Sequence, residues 1–186
     1  MRIISGSLRG RTFAAPAGTG TRPTGDRIRE SLFNILHGRL NGLAVLDAFA
    51  GSGALSFEAL SRGARSAVLF DTDAAALRTL RANIESLGLS AQCVVRAQDF
   101  LSGAPALQGQ RFGLIFLDPP YAAGLYQQAL ELVDALQLLA DCGIVMAEHS
   151  VRDALPQQVG SLAAYDKRRY GITVLTFYKR QEDSLE

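Results

Sequence analysis

The chain has 186 residues, of which 48% are hydrophobic and 20% are charged, with a formal net charge of +1. This length favours a single domain with a sizeable core, and no apolar stretch is long or pure enough for a membrane span or a secretory signal. Cys93 and Cys142 lack a CxxC partner and the two histidines form no ligand cluster, so we expect a cytoplasmic protein with buried thiols and no metal.

Residues 1–40 predict a small basic extension. Residues 2–13 indicate two short strands joined by a bend with Arg9 and Arg11, and residues 14–25 indicate a Pro/Gly/Thr-rich loop. Apolar spacing from Ile28 to Leu36 predicts an amphipathic helix that ends near Gly38. Seven arginines against two acids give the extension a net charge of +5, which is typical of a polyanion-binding rim.

From residue 41 onward, strands alternate with helices, which is typical of βαβ units. The predicted strands are 43–47, 67–71, 92–96, 112–117 and 144–148, and the predicted helices are 54–61, 74–87 and 125–139. Residues 165–179 indicate two antiparallel strands at the sheet edge. We therefore predict an α/β fold for residues 1–186, with a mostly parallel Rossmann-like sheet in 41–186 and an antiparallel C-terminal edge hairpin.

The C-terminal hairpin is also basic. Residues 165–180 carry a net charge of +4, whereas residues 41–164 carry −5. Arg168 and Arg169 are therefore candidates for polyanion contacts, although a solvated surface charge is the simpler interpretation of any single arginine.

The first strand leads into a glycine-rich loop, Asp47-Ala-Phe-Ala-Gly51-Ser-Gly53, directly before a predicted helix. The glycines allow close approach to a ligand, and the helix N-terminus favours polar or anionic groups. A dinucleotide fingerprint requires glycine at position 56, where Ser56 stands, and Asp47 would repel a pyrophosphate. A cofactor with ammonium and sulfonium cations, such as S-adenosylmethionine, would instead be attracted to Asp47.

Acids also end the second and third predicted strands. Asp71 is placed to accept hydrogen bonds from both hydroxyls of a ribose, whereas Asp73 is a candidate helix cap. Asp99 is placed to accept from an exocyclic adenine amine, with Phe100 beside the ring. Any one of these acids is more often a cap or turn residue, but four successive strands that end in an acid favour a cofactor pocket.

Asp118-Pro119-Pro120-Tyr121 follows the fourth predicted strand, at the sheet edge where open α/β sheets bind ligands. Taken alone, the tetrapeptide is explained equally well by a proline turn with a solvated aspartate. Because three upstream strand ends indicate a cofactor pocket, we predict that this tetrapeptide belongs to a functional site beside that pocket.

With these motifs, the chain resembles the RsmD family of class I S-adenosylmethionine-dependent methyltransferases, bacterial enzymes that methylate a guanine N2 amine of 16S ribosomal RNA. The resemblance covers nearly the whole chain, and Asp71 stands where relatives commonly have glutamate, which can hold a ribose equally well. The matching motifs are Arg2-Ile-Ile-Ser-Gly, Arg9-Gly-Arg11, Arg22-Pro-Thr-Gly-Asp-Arg-Ile-Arg-Glu-Ser-Leu-Phe-Asn-Ile-Leu36, residues 46–55, residues 58–64 and residues 118–121.

The resemblance implies that Asp118, Pro119, Pro120 and Tyr121 are catalytic, with Tyr121 stacked on the target base. It implies S-adenosylmethionine as the cofactor, for which the candidate residues are Asp47, Phe49, Ala50, Gly51, Ser52, Gly53, Asp71 and Asp99. The candidate RNA-binding residues are Arg9, Arg11, Arg22, Thr24, Arg27, Arg168 and Arg169. The expected partner is 16S rRNA or the assembling small ribosomal subunit, without metal or membrane, and we expect a monomer.

Other functions are disfavoured to different degrees. DNA adenine-N6 methyltransferases also use Asp-Pro-Pro-Tyr, but they usually carry a target-recognition insertion for which this chain has no room. A glutamine or release-factor methyltransferase favours asparagine at position 118, and Ser56 and Asp47 disfavour a nicotinamide dehydrogenase. A non-catalytic RNA-binding or assembly factor on the same scaffold stays open, although it would be expected to lose Asp118 or the glycines.

Overall fold

The computed structural model of the protein describes residues 1–15, 25–119 and 125–181. The helices are α1 (Asp26–Ile35), α2 (Ala54–Ser61), α3 (Ala74–Leu87), α4 (Phe100–Gly103) and α5 (Leu125–Ala135), with a 3-10 helix at Ala104–Leu107. The strands are β1 (Ala44–Asp47), β2 (Ser66–Asp71), β3 (Cys93–Ala97), β4 (Phe112–Leu117), β5 (Leu139–Ser150), β6 (Gln158–Val159), β7 (Leu162–Tyr170) and β8 (Thr173–Arg180). Among these described helices, none is long and apolar enough to cross a membrane.

All eight strands form one sheet in the order β3-β2-β1-β4-β5-β8-β7-β6. The first five strands of that order pair in parallel, and the last three add antiparallel strands to the β5 edge. The predicted α/β class, the mostly parallel sheet and the antiparallel C-terminal hairpin are therefore confirmed. The carboxyl ends of β2, β1, β4 and β5 lie next to one another along one edge, which is where such sheets bind ligands.

Helices cover both faces of the sheet and bury two core clusters. The α1 face carries the cluster built by α1, α2 and α3, with core residues such as Phe33, Phe57, Leu80, Phe116 and Leu175. The α5 face carries the cluster built by α4 and α5, with core residues such as Phe100, Leu130, Ile115 and Tyr178. Removal of this apolar surface from water is the main stabilising term of the fold.

The N-terminal segment differs from its prediction, because residues 2–13 form a single antiparallel bridge between Arg2 and Thr12 and not two paired strands. The two ends of the segment still bond to each other, since the Ile3 N–H donates to the Arg11 carbonyl and the Phe13 N–H to the Met1 carbonyl, both at 3.0 Å. The backbone between these ends also bonds to α2. The carboxylate of Glu58 accepts from the N–H groups of Ile4 (2.8 Å) and Ser5 (3.0 Å). Ser61 holds the bend that follows, where Gly6 adopts φ +87° and a Cβ would lie 1.9 Å from the Ser61 carbonyl oxygen.

Two predictions about residues 125–150 were also wrong. The fifth helix ends at Ala135, four residues earlier than expected, because Gln137 adopts φ 51° and the Leu138 N–H bonds back to the Val133 carbonyl at 2.9 Å. The chain then enters β5 at Leu139, so residues expected at the helix end belong to the sheet. Cys142 in β5 is exposed, although a buried thiol was expected.

Candidate active site

Four carboxylates meet at the carboxyl edge of the sheet. Asp71 ends β2 and Asp47 ends β1, while Asp118 directly follows β4 and Glu148 lies near the end of β5. Asp47 pairs in register with Phe116 of β4, two residues before Asp118. Leu117 pairs with Ala147, so the next residues of the two strands, Asp118 and Glu148, lie side by side. Sequence analysis predicted the convergence of the first three acids.

Asp47 is 2% exposed, and its Oδ2 accepts a hydrogen bond from the Ser56 hydroxyl of α2 at 2.8 Å. Burial raises the pKa of Asp47 to about 7, against the lowering effects of the bonds from Ser56 and the Phe49 backbone, and the negative charge of Asp71 adds to the rise. The position of glycine in a dinucleotide fingerprint is thus taken by a serine that orients an acid.

The glycine loop between β1 and α2 is held from two sides. The Gly51 N–H donates to Oδ2 of Asp71 at 2.7 Å, and the Ser52 carbonyl accepts from Nδ2 of Asn83 at 3.3 Å. Gly53 has φ +81°, and a Cβ there would lie 2.5 Å from the Phe57 ring, so this position requires glycine. Gly53 also precedes the N-terminus of α2, which directs its backbone donors toward the crevice.

Asp71 at the end of β2 and Asp73 just after it have different contacts, as the sequence suggested. Asp73 caps α3 by accepting from the Ala76 N–H at 2.7 Å. Asp71 accepts from the Gly51 N–H and, through Oδ1, from the Asp73 N–H at 2.8 Å. Asp71 is therefore the acid that lies at the glycine loop, beside the predicted ribose position.

Asp118 is half-buried and Pro119 is buried at the end of β4. Burial, then the negative charges of Glu148 and Asp47, raise the pKa of Asp118 well above its ordinary value. Pro120 and Tyr121, the other two residues of the predicted catalytic tetrapeptide, lie outside the described residues.

Glu148 is a site residue that sequence analysis missed. It was predicted as the last residue of a strand and not as part of the acidic edge. Its backbone carbonyl accepts from the Tyr126 hydroxyl of α5 at 2.7 Å, which fixes this end of β5. Glu148 lies two residues before the end of β5 at Ser150. This acid near a strand end was the available signal, because each neighbouring parallel strand also ends near an acid.

The predicted adenine side of the pocket is built from α4 and its neighbours. Asp99 is exposed and caps α4, where its Oδ2 accepts from the Ser102 N–H at 3.1 Å. Phe100 is 1% exposed and packs edge-on against Phe70 and Phe49, with centroid separations of 5.5 and 6.2 Å. The Phe100 ring therefore belongs to the core, and half-buried Phe49 is the aromatic residue that reaches the crevice.

The candidate RNA-binding arginines are in different environments. Arg9, Arg11 and Arg27 are all exposed, but Arg11 also donates to the carbonyls of Leu87 at 3.0 Å and Ser86 at the C-terminus of α3. Arg168 is exposed and forms an ion pair with Asp166 at 3.0 Å, and Arg169 donates to the Gly171 carbonyl at 2.9 Å. Arg22 and Thr24 lie outside the described residues.

The charge of the crevice fits a cationic cofactor. The negative charge of Asp47 contributes to the raised pKa of Asp118, after burial and Glu148, and neither acid forms a salt bridge with a Lys or Arg in the described part of the chain. An added sulfonium or ammonium group would relieve this repulsion. Across residues 1–15, 25–119 and 125–181, no group of three or more His, Cys, Asp or Glu side chains is arranged to hold a metal ion.

Comparison with known proteins agrees with this fold. A family model described as "Conserved hypothetical protein 95" matches residues 1–179. YlbH of Bacillus subtilis (strain 168) is 40% identical over 183 residues, 97% of this chain and 100% of YlbH. Ribosomal RNA small subunit methyltransferase D of Escherichia coli (strain K12) is 36% identical over 183 residues, 97% of this chain and 90% of that protein.

A solved structure agrees as well. The Escherichia coli protein yhhF is 35% identical and superposes with a TM-score of 0.87, covering 97% of this chain and 98% of that one. The family expected from the motifs is thereby confirmed. The chain belongs to the RsmD family of class I, S-adenosylmethionine-dependent methyltransferases.

Proposed function

We propose that the protein methylates the exocyclic N2 amine of a specific guanine in small-subunit (16S) ribosomal RNA in the bacterial cytoplasm. The observation that carries the proposal is the position of Asp118 and Pro119, directly beside Asp47 and the glycine loop at the carboxyl edge of the sheet. The relative named for the small ribosomal subunit supports RNA as the substrate. The target is naked rRNA or an assembling subunit, with the protein as a monomer.

The cofactor residues divide the pocket between them. We assign the glycine loop, Ala50 to Gly53, to close backbone contact with the cofactor and Asp71 to its ribose hydroxyls. Asp47 compensates the cationic end, Phe49 lines the methionine side together with Thr24, and Asp99 accepts from the adenine amine. When bound, S-adenosylmethionine supplies an electrophilic methyl group.

Asp118 and Pro119 activate the amine by positioning it. The amine of guanine is a poor nucleophile, because its lone pair is delocalised into the ring. The Asp118 carboxylate and the Pro119 carbonyl accept its two hydrogens, align the nitrogen and stabilise the positive charge that develops on it. The two prolines make this acceptor geometry rigid, and Tyr121 stacks on the base.

The proton that leaves the methylated amine also has an acceptor. Because burial and the charges of Glu148 and Asp47 raise the pKa of Asp118, its carboxylate takes up a proton more readily than an exposed aspartate does. We assign Arg9 of the bend, Arg27 of α1, Arg168 of β7 and Arg22 to contacts with phosphates around the crevice.

The test is methyl transfer from labelled S-adenosylmethionine to naked 16S rRNA, to assembled small subunits and to DNA, followed by nucleoside analysis of the product. We expect N2-methylguanosine in one of the two RNA substrates and a large loss of activity for Asp118→Ala. Asp141→Asn is the matched control, since this exposed acid lies at the far end of β5. The absence of transfer to any RNA, or full activity of Asp118→Ala, would refute the proposal.

A further inference from the structure

The basic residues of β7 point alternately to opposite faces of the sheet. Arg168 pairs with Leu175 of β8, which in turn pairs with Glu148 of β5. Residues paired in this way project on the same side of a sheet. Leu175 belongs to the core cluster of the α1 face, so Arg168 and Glu148 both lie on the α1 face.

Arg169 lies on the other face. It pairs with Val174, which pairs with His149, and it donates to the Gly171 carbonyl. His149 is 4% exposed and is bonded through Nε2 to the Thr176 hydroxyl at 2.8 Å. Two neighbouring arginines with the same formal charge are thus separated by the full thickness of the sheet.

Arg168 stands at the level of the catalytic carboxylates. Strands in a sheet are about 4.8 Å apart, so Arg168 is roughly 10 Å from Glu148 and about 14 Å from Asp118, measured across the strands. This exceeds the reach of one base but matches a backbone phosphate of a neighbouring nucleotide. Among the described residues, the Arg168 side chain bonds only to Asp166, through Nε, and it is 57% exposed.

An aromatic residue lies beside this arginine on the same face. Tyr165 is 43% exposed and its ring packs against Phe177 of the α1 face, at 6.3 Å between centroids. Nζ of Lys179 lies 5.7 Å from the Tyr165 ring. Burial raises the pKa of Tyr165, and the positive charge of Arg39 opposes this rise. Cations interleaved with an exposed aromatic ring are typical of surfaces that bind single-stranded nucleic acid.

We propose that Arg168, Lys179 and Tyr165 form a backbone-binding surface for single-stranded RNA on the α1 face, next to the target nucleotide, and that Arg169 takes no part in it. The inference rests on the proposed RNA substrate. It restricts RNA binding by the basic C-terminal hairpin to residues of β7 and β8 on one face of the sheet. Arg168 and Lys179 contact phosphates, and Tyr165 stacks on a flanking base.

The experiment compares Arg168→Ala with Arg169→Ala, which remove the same charge one residue apart. Binding of a fluorescein-labelled single-stranded RNA is measured by anisotropy between about 50 and 200 mM salt. For Arg168→Ala we expect several-fold weaker binding and a salt slope lower by about 0.7, the value for one phosphate contact. For Arg169→Ala we expect the wild-type affinity and slope, and for Tyr165→Ala a loss of about fivefold or more.

Binding of S-adenosylmethionine and the urea midpoint, both expected to be unchanged, show that the variants are folded. Equal losses for the two arginine variants, or none for Arg168→Ala, would overturn this surface while wild-type methylation of RNA still supported the proposed function. A wild-type protein that neither binds nor methylates RNA would instead refute the proposed function, and the surface with it.

Discussion

The side chain of Asn83 bonds to both backbone polar groups of Ala14. Its Nδ2 donates to the Ala14 carbonyl at 2.9 Å, and its Oδ1 accepts from the Ala14 N–H at 2.9 Å. The same amide donates to the Ser52 carbonyl of the glycine loop at 3.3 Å, and Asn83 is 3% exposed. One buried side chain of α3 therefore joins the N-terminal segment to the cofactor loop.

Asn83→Ala should weaken both elements. Loss of the amide removes three hydrogen bonds to partly buried backbone groups, which costs about 1–3 kcal/mol in the free energy of unfolding. It also removes a support of the loop, so we expect weaker binding of S-adenosylmethionine. Urea unfolding and calorimetric titration measure the two effects, with Asn34→Ala on the exposed side of α1 as the control. Unchanged values for both would show that the bonds contribute nothing.

Asp47→Asn should stabilise the unliganded protein. The pKa of Asp47 is about 7 in the folded state and 3.8 for an ordinary aspartate, so between these pH values the folded state holds a proton that the unfolded state has lost. The wild-type acid therefore destabilises the fold increasingly as pH rises from about 4 to 7. We expect the variant to gain stability over that range, on the order of a few kcal/mol at neutral pH. An equal difference in unfolding free energy between variant and wild type at pH 5 and at pH 8 would contradict this.

Affinity for S-adenosylmethionine should fall as the pH drops below about 7. The cationic cofactor favours ionised Asp47, which is partly protonated at neutral pH in the free protein. The expected loss approaches tenfold per pH unit below 7, and the raised pKa of Asp118 adds to it. Calorimetry in buffers of different ionisation enthalpy should detect proton release on binding. Asp141→Asn should keep this dependence, and a flat affinity between about pH 6 and pH 8 would argue against it.

The part of the candidate site that lies at strand ends could be predicted from the sequence. Asp47, Asp71 and Asp118 each end an apolar run. Parallel strands bring such ends together regardless of the conformation of the connecting loops. Glu148 was predicted to end its strand but not assigned to the acidic edge, because its proximity to Asp118 depends on the register of two strands.

Long-range contacts account for most of the remaining differences. Arg11 contacts carbonyls 75 and 76 residues away, and no local pattern distinguishes such an arginine from one without protein partners. Arg29 is fully buried and donates to the Arg2 carbonyl of the N-terminal segment. The helical spacing of apolar residues gave no indication of this burial. The faces of Arg168 and Arg169 depend on the register with β8, which includes a shift between Ala164 and Asp166.

Arg9 and Arg11 should have separable effects. Arg11→Ala removes donors from the last carbonyls of α3, where a cation is favourable, so we expect a loss of stability of about 1 kcal/mol. Arg9→Ala should leave stability unchanged and weaken RNA binding at low salt, because Arg9 is exposed on the bend. Urea unfolding and RNA anisotropy of the two single variants decide the matter. A stable Arg11→Ala protein with reduced RNA affinity would assign Arg11 to RNA contact instead.

Glu58→Gln should destabilise the anchored N-terminal segment. Glu58 is 1% exposed and accepts from the N–H groups of Ile4 and Ser5. It also pairs with Arg62 at 2.7 Å and with buried Arg29 at 4.0 Å. Arg29 keeps its 3.0 Å ion pair with Asp26, so the main loss is the charge that Arg62 and the two N–H groups bind, and we expect a loss of about 1–3 kcal/mol. Urea unfolding measures the loss, and proteolysis should cleave residues 1–15 faster. Glu30→Gln, exposed on α1, is the matched control, and equal midpoints for the two variants would show that the buried charges are not coupled.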